Sequence, residues 1–180
     1  MDFIGRTQEL DRLFRHARGE SGNIGLMLLA EPGAGASEML RQVYDVLFAD
    51  QNEIVPFYFE INAADRTAGR AAHRFLHEFL RQTVAFRRGD TRIVDVSPGI
   101  TELGELAPPE DGGWIDRLVE TGQRGTTTND VHSFVRNCLA APLRAAGHGV
   151  RVFAMIDSLH TANELKDGNV FIENLRDVFA

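Results

Sequence analysis

The chain has 180 residues, 43% of them hydrophobic, enough for one ordinary globular core and a single domain over 1–180. A formal charge of −7 excludes a broad basic surface, so neither nucleic acid nor a membrane is expected as a partner. The lone Cys138 cannot make an internal disulfide, which points to a reducing, cytoplasmic setting.

The first ten residues show no basic region followed by an apolar one, so no signal peptide is predicted. No apolar run approaches the ~20 residues that cross a bilayer. In chain order, Thr7 is placed to cap a first helix reaching about Arg18, with Leu10, Leu13 and Phe14 on one face. Residues 24–30, IGLMLLA, form a short continuous apolar run, which predicts a parallel strand covered on both faces. A glycine-rich turn follows. Met39, Leu40, Val43, Leu47 and Phe48 then recur at helical spacing.

Residues 53–61 predict a second strand, and Pro56, which has no N–H to donate, places it at a sheet edge. Residues 71–86 predict a helix with Phe75, Leu76, Phe79 and Leu80 inward. From 87 to 113 periodicity dissolves, which predicts a long loop or insertion, with a short strand at TRIVDV. A short helix at 114–120, a longer one at 130–146, a third buried strand at 150–157 and a last helix at 171–178 complete the pattern. Strands alternating with helices of this length predict an α/β fold with a mostly parallel sheet.

The turn after the first apolar run, LAEPGAGAS at 29–37, has the outline of a phosphate loop. Such loops work because glycines let backbone N–H groups converge on phosphate oxygens at a helix N-terminus. The full pattern has glycine, four residues, glycine, lysine and a hydroxyl residue. Here those four positions hold Ala30, Gly35, Ala36 and Ser37, and the chain's single lysine is the distant Lys166.

Three segments in order resemble the AAA+ ATPases, and within them the signal-transducing STAND and archaeal-type branches. Phe3, Ile4, Gly5, Arg6, Glu9, Leu10 and Leu13 match the family's N-terminal segment, the loop matches its phosphate loop, and VFAMIDS at 152–158 matches its acidic strand. The resemblance implies a three-layer P-loop NTPase sandwich. It implies nucleotide contacts from Ile4, Gly5, Arg6, Pro32, Gly33, Ala34, Gly35, Ala36, Ser37 and Asp157, with Mg²⁺ held through Ser37 and Asp157. It also implies a further strand after the acidic motif. None follows before Ala180, so the sheet is expected to be incomplete, or repaired by TRIVDV or a partner chain.

Two departures bear on chemistry. Ala36 removes the lysine cation, a contact of about 4 kcal/mol at 4 Å and surface-like dielectric before desolvation. Ser158 stands where the family's glutamate would orient water. The resemblance then implies a degenerate module with no catalytic residue, serving as a regulatory or assembly domain with a protein partner or self-association. ATP or ADP with Mg²⁺ is either weakly bound or not bound. The alternatives are an active ATPase in which Arg41 or Arg6 replaces the lysine, and a nucleotide-free scaffold. His73 and His77 stand four apart on a helix, but Arg81 occupies the position a zinc motif would need, so solvated histidines are expected.

Overall fold

In the computed structural model, which describes residues 6–20, 25–31, 33–125 and 130–179, two parallel strands carry the architecture. Strand β1 (Ile54–Glu60) pairs with β2 (Arg151–Asp157) in a register that sets Phe57 opposite Ala154. Helix α1 (Thr7–Ala17) and α2 (Ala36–Asp50) lie on one face. There Leu13, Ala17, Met39, Leu40, Val43 and Leu47 gather around Met155, with Leu26 and Phe153 partly covered.

The opposite face is larger. Helix α3 (Ala68–Arg88) crosses β1, and Phe57 meets the rings of Phe75 and Phe79 edge-on at 4.9 and 5.3 Å. Thr67 Oγ1 accepts the Arg70 N–H to start α3, and Gly89, at φ 61°, ends it in the left-handed conformation that glycine adopts without a Cβ penalty. Then come α4 (Arg92–Val96), α5 (Ile100–Glu105), α6 (Gly112–Arg124), α7 (Val131–Leu139), α8 (Ala141–Gly147) and α9 (Gly168–Phe179). They wrap α3 and bury Leu103, Trp114, Ile115, Leu118, Val135, Cys138, Leu139 and Phe171. Burial pushes the Cys138 thiol up to about 12, so it behaves as core filler.

The expected three-layer P-loop sandwich is not what forms. The structure is 66% helical, and among the described residues the sheet has two strands, too few for that fold. The physical reason lies in three segments. Among the described residues, 25–30 have no strand partner and form no strand, leaving Met27 72% and Leu29 90% exposed. TRIVDV is helical rather than extended, because Asp90 accepts the Arg92 N–H at 3.1 Å and nucleates a turn. The 87–113 stretch is therefore mostly short helices, not a loop. The expected helix at 130–146 divides at Ala140, where α7 ends and Pro142 takes an early position of α8.

The two edges of the sheet differ. Gln82 Nε2 donates to Tyr58 O at 2.9 Å, and its Oε1 accepts the Tyr58 N–H at 2.9 Å. Tyr58 thus points its backbone groups away from β2, and by alternation so does Pro56, which lacks the N–H in any case. Arg74 Nη2 donates to Glu60 O at 2.7 Å, closing the end of that edge.

Candidate functional site

The turn before α2 keeps much of the shape of a phosphate cradle. Gly33 and Gly35 both sit at φ 80°, in the left-handed region, and no atom of the other described residues lies within 4 Å of where a Gly33 Cβ would be. Ala34 N–H donates to Glu31 O at 3.0 Å and Met39 N–H to Gly35 O at 3.0 Å. Gly35 caps α2 without a side chain. The N–H groups of Ala36, Ser37 and Glu38 therefore have no acceptor within the helix, and the positive end of the helix dipole faces the turn.

The far end of β2 meets this turn. Asp157 accepts the Tyr58 hydroxyl at 2.8 Å and its own neighbour's amide (Ser158 N–H) at 2.6 Å, and the Ser37 side chain lies close enough to act on the same carboxylate. Burial alone would raise the Asp157 carboxyl. The Ser37 side chain and the hydrogen bonds from Tyr58 and Ser158, with the Arg41 charge, outweigh it and hold the group below its usual range. Burial and this carboxylate together push the Tyr58 phenol up. Ser158 turns into the left-handed region at φ 57° and leads into the 3₁₀ turn Leu159–Glu164, so its side-chain position offers no water-activating carboxylate.

Of the two arginines considered as replacements for the missing lysine, Arg41 lies near enough for its charge to act on Asp157 but is engaged on the β1 side. Arg41 binds Glu60 at 3.0 Å and lies 5.6 Å over the Tyr58 ring, on the β1 side of α2. Arg6 occupies the N-cap position of α1, its carbonyl accepting the Leu10 N–H at 3.1 Å. Ile4, Gly5 and Pro32 lie outside the described residues. The structure thus brings Gly33, Ala34, Gly35, Ala36, Ser37 and Asp157 together.

Sequence reasoning missed Tyr58 and Glu60. With Arg41, Tyr44 and Arg81 they line an open cavity of about 420 Å³ between α2, β1 and α3. The available signal was β1 itself, where Tyr58 and Glu60 are the polar-tipped residues of an otherwise apolar strand. His73 and His77 are partly buried rather than freely solvated. His73 stacks on Phe134 at 6.5 Å, and His77 Nε2 is 2.8 Å from Pro98 O. Among the described residues no cluster of three or more histidine, cysteine or acidic side chains is placed to hold a metal.

Mg²⁺ is a fair fit to Ser37 and Asp157 only as an ion that brings phosphate and water with it. Two of the roughly four lone-pair sites of the Asp157 carboxylate already accept hydrogen bonds, which leaves the others for Ser37 or an ion. Among the described residues no helix is long and apolar enough to cross a membrane. Compared with protein-family models, with curated proteins and with solved structures, the chain finds no significant match in any of the three.

Proposed function

We propose that the chain is a degenerate nucleotide-binding module of the cytoplasm, with little or no ATP hydrolysis, that serves as a regulatory or assembly domain. The observation that supports this reading is the meeting of Ser37 and Asp157 from opposite ends of the sequence, at a glycine turn opening a helix. Phosphate oxygens would take the N–H groups of Ala36, Ser37 and Glu38. Ser37 and Asp157 would hold a Mg²⁺, whose charge, when bound, neutralises the phosphates. Neither a lysine nor a glutamate is present to stabilise phosphoryl transfer or to orient water.

Calorimetric titration of Mg-ATP tests this, with an expected dissociation constant of about 1 mM. Ser37→Ala and Asp157→Asn should each abolish the heat while the fold is retained by circular dichroism. Turnover near about 1 s⁻¹ would place the chain among ordinary enzymes and defeat the reading. A second reading, a nucleotide-free scaffold, is favoured by one feature. The polar groups of the site already satisfy one another through Tyr58–Asp157 and Arg41–Glu60. No heat and no thermal shift with Mg-ATP at about 10 mM, ten times the expected constant, would select it.

A further inference from the structure

The sheet has one closed edge and one open edge. Because Tyr58 faces outward on β1, the pairing of Phe57 with Ala154 leaves Val152, Ala154 and Ile156 pointing their N–H and C=O groups away from β1. None of these groups has a hydrogen-bond partner among the described residues. No proline, lysine or bulge interrupts the edge, the devices that normally blunt one. Its apolar side chains Val152, Phe153, Ala154 and Ile156 are only half-buried, whereas Val55, Phe57 and Phe59 on β1 are fully buried.

The sequence of this edge is self-complementary. Arg151-Val-Phe-Ala-Met-Ile-Asp157 reads outward from Ala154 as Phe against Met, Val against Ile, and Arg against Asp. We propose that β2 pairs antiparallel with β2 of a second copy of this chain about a two-fold axis at Ala154. That register puts Ala154 opposite Ala154, Val152 opposite Ile156 of the second copy, and Phe153 opposite its Met155. All three outward residues of each copy then exchange about six backbone hydrogen bonds in total.

The faces also agree. Val152 and Ile156 lie on the α3 side, so their cross-strand pair is β-branched on both sides; Phe153 and Met155 lie on the α2 side, where ring and thioether pack well. At each end Arg151, which is exposed, comes opposite Asp157 of the second copy, so opposite charges close the pair. A register shifted by two residues loses both charge pairs. The contact is isologous, as a two-fold dimer requires. It goes beyond the nucleotide reading and does not depend on it.

Sedimentation velocity without nucleotide, from about 1 µM to about 200 µM, tests the proposal by mass action. The expected result is a monomer–dimer equilibrium. Arg151→Asp sets like charges opposite one another at both ends and should raise the dissociation constant about tenfold. Ala154→Pro removes the central edge N–H and should abolish the dimer; a matching circular dichroism spectrum checks that the fold survives. Val96→Asp, at an exposed position of α4, should change nothing. Hydrogen exchange gives an independent reading. The amides of Val152, Ala154 and Ile156 should exchange fast at dilution and slowly when concentrated. A monomer throughout, a dimer indifferent to both edge variants, or edge amides protected at every concentration would each overturn it, the last by showing the edge covered within one chain.

Discussion

The outer edge of β1 and the outer edge of β2 are built from strands of equal length and opposite fates. The first is closed by side chains from α3, with Gln82 taking both backbone groups of Tyr58 and Arg74 taking the carbonyl of Glu60, while Pro56 has no N–H to leave unpaired. The second carries backbone groups without partners among the described residues, and half-buried apolar residues. A two-stranded sheet is marginal unless helices cover it. Here the helices cover β1 far better than β2, so stability should be concentrated on the β1 side and exchangeable contacts on the β2 side.

The largest expected effect sharpens that contrast. Phe57→Ala would remove a fully buried ring packed edge-on against Phe75 and Phe79 and, less closely and at a tilt, against Phe59, at a cost of about 3–5 kcal/mol. Phe153→Ala, on the half-buried side of β2, should cost less than half of that in dilute protein. Equal losses in urea unfolding would mean that β2 is as well supported as β1. Next comes Gln82→Leu. It strips the amide that satisfies Tyr58 and should cost about 1–3 kcal/mol, because a partly buried N–H and C=O lose their partners together. A neutral Gln82→Leu would show that water replaces the amide and that the β1 edge is not closed in the sense argued.

How much of this was legible in the sequence depends on which contacts decide each element. The helices were legible because hydrophobic periodicity is local: α2 and α3 bury the residues that spacing selects. The run at 25–30 does not form the expected strand, because an apolar run becomes a strand only where a neighbour accepts its backbone, and among the described residues none does. TRIVDV was misread for the converse reason, since the Asp90 side chain starts a helix that β-branched content alone does not predict. Of the site, Ser37 and Asp157 were legible through the ordered motifs. Tyr58, which holds Asp157, was not, because that bond joins two strands whose pairing no local pattern reveals.

Acidification acts on both sides of the sheet, with smaller effects. Burial, with the nearby His77 charge, holds His73 below its usual 6.5, against a weaker opposing contribution from Gly122 O. The unfolded chain therefore takes up this proton first, and stability falls as pH drops below about 6.5. Asp157 has the opposite charge type and a lower window. Its carboxyl is held down in the folded chain, so its contribution is present above the usual 3.8 and is lost as pH falls through the folded value. Urea midpoints at about pH 7.5 and about pH 5.5 should differ for the native chain, and His73→Gln should flatten that slope; an unchanged slope would show that His73 is free to ionise.

The smallest expected effect bears on the segment that most misled the sequence reading. Leu29 is 90% exposed and, as an apolar residue in water, contributes no packing. Leu29→Ser should therefore change unfolding free energy by less than about 0.5 kcal/mol, as for other surface positions away from special contacts. Leu26, which is partly buried against Met155 and its neighbours, provides the internal reference, and Leu26→Ser should cost measurably more. If both serines cost alike, the 25–30 run is packed along its length, and the side of the molecule beyond β2 is better covered than the comparison of the two edges allows. If only Leu26→Ser is costly, one anchored leucine is what holds the run to the α2 face. The glycine turn that follows is then positioned by α2 and Asp157, not by a strand behind it.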